Sequence, residues 1–180
     1  MECYQHHPKK VFKLDIGSGL NYYKGVNNDE IDEWIHLDGD PAPHVEIVCK
    51  WDNIPIEDGL VDTVHSSETL EHIPVWEMDK VMKEWNRIMK IGCHFFGTTP
   101  SLAYVCKEFT NGNMNYINTV RNLYGDGAGY HHTHYHLFTI DELKYFLTKY
   151  GFGEIDFSQS PGDSTAPFWI IFSCIKVKNI

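Results

Sequence analysis

Hydrophobic residues occur in this chain in two periodic patterns, one typical of helices and the other typical of strands. Between Val75 and Lys90 they recur every three or four positions with charges between them, which predicts an amphipathic helix that stops at Gly92. Thr139-Ile140-Asp141-Glu142 has the sequence of a capping box, so another helix is predicted from there to Gly151. A weaker helix is predicted around Asn21 to Ile31.

Short apolar runs bounded by Gly, Pro or Asp predict seven strands. They are Val11–Ile16, Trp34–Leu37, Val45–Cys49, Leu60–Ser66, Cys93–Thr98, Glu154–Gln159 and Pro167–Lys178. Because strands and helices alternate, we expect an α/β fold with a mostly parallel, seven-stranded sheet flanked by helices. The fold is expected to be trimmed, with little chain before the first strand and no room for a helix between the second and third. The stretch between Ser101 and Phe138 is predicted to be irregular, and such long loops are usually functional or mobile.

Length, charge and cysteine content narrow the function classes. The 180 residues predict a single domain, 1–180, and a net charge of −10 argues against partners that need a basic face, namely double-stranded nucleic acid and anionic membrane. Five scattered cysteines without a Cys-x-x-Cys pair indicate reduced core thiols in a cytoplasmic protein. The first ten residues lack an apolar leader, and the longest apolar run, Phe168–Ile175, is too short to span a bilayer.

The first predicted strand runs into a glycine turn, Leu14-Asp15-Ile16-Gly17-Ser18-Gly19. Glycines at 17 and 19 allow positive φ and close approach of a ligand. About twenty residues later the second predicted strand ends in Asp38. A glycine turn after one strand and an acid at the tip of the next is how doubly wound folds hold a nucleoside, with the carboxylate on the ribose hydroxyls.

Two residues around this turn favour S-adenosylmethionine over a dinucleotide. A dinucleotide fingerprint needs a third glycine three residues after Gly19, where this chain has Tyr22. Asp15 would repel a pyrophosphate, whereas S-adenosylmethionine carries an ammonium and a sulfonium and no phosphate. A nicotinamide-dependent oxidoreductase is therefore the disfavoured alternative, and a non-catalytic nucleotide-binding protein is the other.

Polar residues follow the third and fourth predicted strands. Asp52 could accept from an adenine amino group while Ile54 packs on the ring, although an Asx turn before Pro55 explains Asp52 equally well. Glu71 and His72 lie where ligands bind in such folds and could orient a cofactor or transfer a proton. The alternative, which is favoured for His72 as a base, is that both residues simply begin the next helix.

The segment from Tyr130 to His136 is rich in histidine. Histidines 132, 134 and 136 alternate, so on a strand they would share one face and could hold zinc or iron. No carboxylate lies nearby in sequence, although a distant one could complete the set, and methyl transfer from a sulfonium needs no metal. A histidine cluster that faces the substrate, or a solvated loop, is therefore favoured over a metal site, and no metal is expected.

The chain resembles the small class I S-adenosylmethionine-dependent methyltransferases of the methyltransferase type 11 kind, especially a compact subgroup often associated with surface-polysaccharide genes. The resemblance extends from Phe12 to Phe152 and is carried by these segments: Leu14–Gly19, Trp34–Asp38, Asp52–Pro55, Asp58–Asp62, Ser66–His72, Glu84–Lys90, Leu123–Gly125 and Phe138–Phe152. It departs from the family at Ile91-Gly92-Cys93, where Pro-Gly-Gly is usual, and at Asn21, where many relatives have a third glycine.

This resemblance implies a Rossmann-like fold, S-adenosylmethionine as cofactor and methyl transfer by in-line displacement to a small-molecule or saccharide acceptor. The implied cofactor residues are Asp15, Gly17, Ser18, Gly19, Asp38, Asp52, Asn53, Ile54, Ser67, Glu68 and His72. Among these, Asp15, Gly17 and Gly19 would cradle the methionine part, Asp38 the ribose and Asp52 the adenine. Residues 101–136 are expected to lie on the acceptor side, with His136, His134, Tyr130 and His72 as catalytic candidates. The trimmed fold suggests either an open site for a bulky acceptor or a homodimer whose partner closes the site.

Overall fold

Seven strands form one sheet in the computed structural model, which describes residues 11–20, 23–24, 34–126, 132–159 and 169–180. The strands are β1 (Lys13–Ile16), β2 (Trp34–Asp38), β3 (Ile47–Val48), β4 (Val61–Ser67), β5 (Met89–Pro100), β6 (Phe152–Gln159) and β7 (Trp169–Lys176). Their order is β3-β2-β1-β4-β5-β7-β6, and only β7 runs antiparallel to its neighbours. This is the Rossmann-like architecture that the sequence predicts.

The strand order brings the carboxyl ends of β1, β2 and β4 together. β1 lies between β2 and β4, and parallel pairing aligns Asp15 with His36 on one side and with His65 on the other. Ligands in such sheets bind where the order reverses, outside the carboxyl ends of the strands. The predicted short link between β2 and β3 is confirmed, because the residues between Asp38 and Ile47 contain no helix.

Four helices and one 3₁₀ turn are described around this sheet. Their bounds are Leu70–His72 for the 3₁₀ turn, Met78–Ile88 for α1, Leu102–Thr110 for α2, Tyr116–Tyr124 for α3 and Ile140–Lys149 for α4. The capping box at α4 is confirmed, since Thr139 and Glu142 exchange side-chain to backbone hydrogen bonds. Within the described part of the chain no helix is both long enough and apolar enough to cross a bilayer.

Two predictions of local structure are wrong. The 101–138 stretch is not irregular, because it contains α2 and α3. Helix α1 ends at Ile88 rather than near Gly92, and β5 starts directly at Met89, so Gly92 lies inside a strand. Several other predicted bounds shift by a few residues, most clearly the third strand, which shrinks to Ile47–Val48. The helix predicted around 21–31 and the chain before the first strand fall outside the described residues.

The hydrophobic core lies between the sheet and the apolar faces of α1 and α4. Trp85 of α1 is fully buried and packs edge-to-face on Phe95 of β5. Trp76 lies within the helix predicted from Val75, but it precedes α1 in the structure and is 73% exposed. Cys106 is also exposed, because it lies on the outer face of α2, so it is not the core thiol that the sequence predicted.

Candidate active site

The glycine turn after β1 is tied to the end of β2 by backbone and side-chain hydrogen bonds. Gly17 and Gly19 have φ values of 73° and 53°, the left-handed region that glycine adopts without steric cost. The Gly17 N–H donates to the carbonyl of Leu37 (2.8 Å), and the Gly19 N–H donates to Oδ2 of Asp38 (2.8 Å). The pairing of glycine turn and acid that the sequence predicts is therefore present as a direct contact.

Thr69 joins the glycine turn to the segment that follows β4. A Cβ added at Gly17 would lie 2.2 Å from Oγ1 of Thr69, so only glycine fits there without displacing that side chain. At Gly19, in contrast, an added Cβ meets no described atom within 4 Å. The hydroxyl Oγ of Ser18, which is 4% exposed, has no hydrogen-bond partner in the part of the chain that the structure describes. The turn thus presents an open backbone face and a buried hydroxyl with spare hydrogen-bonding capacity, features that suit a ligand.

Asp15 faces into the sheet rather than into the crevice. Its carboxylate accepts hydrogen bonds from Nδ1 of His36 (3.0 Å), Nδ1 of His65 (2.7 Å) and the backbone N–H of Tyr23 (2.9 Å). Burial raises the pKa of Asp15, but the hydrogen bonds from the two histidines outweigh it, so the net pKa lies below its usual value. Both oxygens are used inside the protein, and Asp15 therefore supports the glycine turn from beneath.

The turn after β3 is attached to α1. Asp52 accepts from Nζ of Lys80 at 2.7 Å, and Asn53 is exposed. Ile54 is only 2% exposed and belongs to the core, so it does not offer the open face predicted for an adenine contact. The guanidinium of Arg87 donates to the carbonyls of Ile54 and Ile56 (3.0 and 2.8 Å), which fixes this turn on the helix.

Two carboxyl groups follow β4 and are both desolvated. Glu68 has a φ of 51°, a conformation that residues other than glycine rarely adopt. Its Oε1 accepts from the hydroxyl of Thr98 (3.1 Å), and Oε2 of Glu71 accepts from the hydroxyl of Thr99 (3.3 Å). Burial raises the pKa of Glu68, and burial together with the charge of Glu68 raises the pKa of Glu71. Ser67, the last residue of β4, has its hydroxyl 2.9 Å from Nε2 of His65.

Of the histidines in the 131–136 segment, the structure brings His134 next to His72. The two rings are 5.0 Å apart, and burial lowers the pKa of both groups, which favours neutral imidazole. Burial also lowers the pKa of His136, whose ring stacks on Phe138 instead of joining the pair. His132 is exposed beside Asp126, while Tyr130 lies outside the described residues. The segment is not a strand, so the predicted shared face of the three alternating histidines does not form.

Several residues around the site were not singled out by the sequence. They are His36, His65, Thr69, Lys80 and Arg87. A signal existed for His36 and His65, because a polar residue inside a buried parallel strand needs a partner and each aligns with Asp15 across β1. Thr69, Lys80 and Arg87 contact residues distant in sequence, and no local pattern indicates such contacts.

Comparison with known proteins supports a methyltransferase. The model of a family described as "Methyltransferase domain" matches residues 14–97, which include the glycine turn, the end of β2 and the segment after β4. No curated protein sequence matches the chain.

Solved structures share the fold at low sequence identity. A SAM-dependent methyltransferase from Archaeoglobus fulgidus is 15% identical, with 93% of this chain and 87% of that chain covered and a TM-score of 0.64. The 1,6-didemethyltoxoflavin-N1-methyltransferase of Burkholderia thailandensis, with bound 1,6-didemethyltoxoflavin and S-adenosylhomocysteine, is 13% identical (93% and 72% covered, TM-score 0.65). The sheet has the class I, Rossmann-like fold of these methyltransferases, and the matched domain and the glycine turn support S-adenosylmethionine-dependent methyl transfer as the activity.

Proposed function

We propose that the protein transfers a methyl group to a small-molecule acceptor bound over the carboxyl ends of β4 and β5. The observation that supports this most is the packing of Thr69 against Gly17, which holds the Glu68–His72 segment beside the cofactor turn. Backbone N–H groups of Tyr135 and His136 donate to the carbonyl of Glu71 (2.7 and 3.2 Å) and bring the histidine segment to the same place. The residues that we assign to the acceptor side would thus lie next to the cofactor turn.

The residues of the glycine turn suit S-adenosylmethionine. The open face at Gly19 and the hydroxyl of Ser18 can take the methionine part, and Asp38 at the end of β2 can take the ribose hydroxyls. Asp52 and Asn53 lie in the turn after β3, the strand beyond β2, where the adenine would extend. We assign Asp15 to positioning the turn, because its carboxylate already accepts three hydrogen bonds.

Methyl transfer at this site requires the protein mainly to align the acceptor with the methyl group. Bound S-adenosylmethionine supplies a methyl group on a cationic sulfur, which is already a good electrophile. The chain's own residues would hold the acceptor in line with that methyl group and exclude water. We place His72 and His134 nearest the acceptor, with His136 and Tyr130 as further candidates, because neutral imidazoles can accept a proton from an acceptor hydroxyl.

A bound ligand in a protein of the same fold and the net charge of this chain both favour a small-molecule acceptor. The Burkholderia methyltransferase, which shares the fold, holds 1,6-didemethyltoxoflavin, and the net charge of −10 disfavours nucleic acid. A saccharide acceptor, as in the surface-polysaccharide subgroup that the sequence resembles, is the other class to screen.

Large exposed apolar side chains on α2 and α3 are consistent with a homodimer, which sedimentation would detect: Phe109, Tyr116, Ile117 and Tyr124.

Replacement of Asp38 by alanine should weaken cofactor binding without unfolding the protein. Calorimetric titration with S-adenosylhomocysteine is expected to show at least a tenfold loss of affinity, about 1.4 kcal/mol, because the ribose hydroxyls lose their acceptor. Asp40→Ala is the control, since Asp40 is exposed at the same turn and only its backbone N–H contacts Asp38. Failure of the wild-type protein to bind S-adenosylhomocysteine would overturn the proposed function.

A matched pair of glycine substitutions tests whether the cofactor covers the turn. Gly19 and Gly59 both have left-handed φ (53° and 61°) and open space around an added Cβ. Each change to alanine is therefore expected to cost about 1 kcal/mol in the free energy of unfolding. Only Gly19→Ala should also lower the affinity for S-adenosylhomocysteine, by tenfold or more, because Gly59 lies in the turn before β4. Equal affinities in the two variants would place the cofactor elsewhere.

A further inference from the structure

Three side chains after β4 and α3 form a group with the composition of a metal site. One ligand atom from each of Glu71, His72 and His134 lies within 4.8 Å of the other two. Two imidazoles and one carboxylate are a ligand set that proteins use for catalytic Zn²⁺ and for non-haem Fe²⁺. The sequence alone did not suggest this set, because His72 and His134 are far apart in the chain. The histidines considered there as possible metal ligands were 132, 134 and 136.

Each histidine of the group is held by a hydrogen bond that fixes its tautomer. Nδ1 of His72 is 3.0 Å from the carbonyl of Thr133, and Nδ1 of His134 is 2.9 Å from the carbonyl of Asn122. Because a carbonyl can only accept, Nδ1 carries the proton in both rings and Nε2 keeps its lone pair. This outer hydrogen bond is the one that metal-ligating histidines almost always make.

Glu71 supplies an independent sign of a missing ligand. Its side chain is fully buried, and Oε2 accepts from the hydroxyl of Thr99. Oε1 has no hydrogen-bond donor among the described residues while both acids are ionised, because the neighbouring carboxyl of Glu68 can hydrogen-bond to Glu71 only if one of the two is protonated. Buried carboxylate oxygens are costly without a partner, so an oxygen left in this state calls for an explanation. That same oxygen lies 4.0 Å from Nε2 of His72, and the two atoms therefore face each other across a gap.

Ligand atoms of the group lie up to 4.8 Å apart, so they would have to approach each other by at most about 1.5 Å to close around an ion. Zinc bonds of about 2.0–2.2 Å separate neighbouring tetrahedral ligand atoms by roughly 3.3 Å. Nε2 of His72 and Oε1 of Glu71 would approach each other by less than about 1 Å. The backbone is already cross-linked here, because His134 donates its N–H to Tyr124 (3.2 Å) and Tyr135 donates to Glu71 (2.7 Å).

We propose that Glu71, His72 and His134 bind one divalent transition-metal ion, with Zn²⁺ as the preferred ion, beside the methyl-transfer site. Magnesium and calcium are disfavoured because they prefer oxygen ligands to imidazole. Three protein ligands leave a coordination position open. If the proposed function holds, that position would bind an oxygen atom of the acceptor and lower the pKa of an acceptor hydroxyl. This role would replace proton acceptance by His72 and His134, because their Nε2 lone pairs would be bound to the metal.

Zinc titration of the chelator-treated protein tests the site without reference to activity. The wild-type chain should bind one Zn²⁺ with high affinity, and Glu71→Gln, His72→Gln and His134→Gln should each weaken that binding at least tenfold. His132→Gln is the control, since this exposed imidazole is two residues from His134 and outside the group. It should bind Zn²⁺ as tightly as the wild type. Equal affinity in all four variants, or no stoichiometric binding by the wild type, would overturn the proposal.

Two further measurements keep the result interpretable. Unfolding curves establish that the variants fold, and if any does not, titration of the wild-type chain with Co²⁺ provides a second readout. Visible bands typical of a nitrogen- and oxygen-ligated site of low coordination number are expected, and their absence would contradict the proposal. S-adenosylhomocysteine titrations of the wild-type protein separate the two hypotheses. A wild type that binds the cofactor product but no zinc refutes the metal site alone, and one that binds zinc but no S-adenosylhomocysteine refutes the methyltransferase proposal alone.

Discussion

Asp15→Asn is expected to lower the free energy of unfolding by about 3 kcal/mol, a large fraction of the stability of a domain of this size. The carboxylate lies in the centre of the sheet and accepts from two imidazole N–H groups on neighbouring strands. An asparagine amide turns one accepting oxygen into an N–H donor. That donor would face the Nδ1–H of His36 or His65, so at least one buried donor would lose its partner.

The effect of Asp15 should also appear in the pH dependence of stability. Because the pKa of Asp15 in the folded protein lies below its unfolded value of about 4, its stabilising contribution is fully present above that pH. It is lost as the pH falls through the folded pKa. Urea unfolding of wild type and variant between pH 3 and pH 7 should therefore show the largest difference near neutrality and a smaller one in acid.

Asp62→Asn is the matched control. Asp62 is also a strand carboxylate that accepts a backbone N–H, from Phe12, and a side-chain cation, from Lys90, but its side chain is partly exposed. Exposed pairs contribute at most about 1 kcal/mol, so this variant should stay close to wild type. A destabilisation of similar size in both variants, or a variant Asp15→Asn without effect, would contradict the view that the buried histidine contacts hold the turn.

Local patterns in the sequence were sufficient to predict the strands of the sheet. The apolar runs before Gly17 and Asp38 predicted β1 and β2, and the capping box at Thr139 predicted the start of α4. Helices α2 and α3 were missed although a local signal existed, because Leu102, Val105 and Phe109, and then Ile117, Val120 and Tyr124, recur at helical spacing. Each helix has only nine residues and the two are joined by an Asn- and Gly-rich turn, so the stretch was interpreted as a loop.

The arrangement of the site was predictable only where it rests on neighbouring strands. The contact between Gly19 and Asp38 follows from β1 and β2 being adjacent. The approach of His134 to His72 depends instead on how α3 and the segment after it fold back onto the 3₁₀ turn. That path is set by hydrogen bonds between distant residues, such as Tyr135 to Glu71, and no spacing in the sequence reveals them.

Gly125→Ala is expected to detach the histidine segment from the rest of the site. Gly125 ends α3 with φ of 83° and ψ of 179°, a conformation that is essentially restricted to glycine. An added Cβ would lie 1.7 Å from the carbonyl oxygen of His132, and that atom belongs to the backbone. The strain and the forced separation together should cost about 3 kcal/mol in the free energy of unfolding, or a local unfolding of this segment.

Hydrogen exchange of the backbone amides distinguishes local detachment from global unfolding. In Gly125→Ala the N–H groups of His134, Tyr135 and His136 should exchange faster, because their bonds to Tyr124 and Glu71 are lost, while those of β1 and β4 should not. Affinity for S-adenosylhomocysteine should be kept and affinity for zinc should fall.

Gly112→Ala is the control, since Gly112 also has a left-handed φ (75°) in the turn between α2 and α3 but open space around an added Cβ. It should cost only about 1 kcal/mol and leave the exchange of the histidine segment unchanged, because strain alone does not move that backbone. Unchanged exchange in Gly125→Ala would mean that the segment is held on the 3₁₀ turn by contacts other than those at the end of α3.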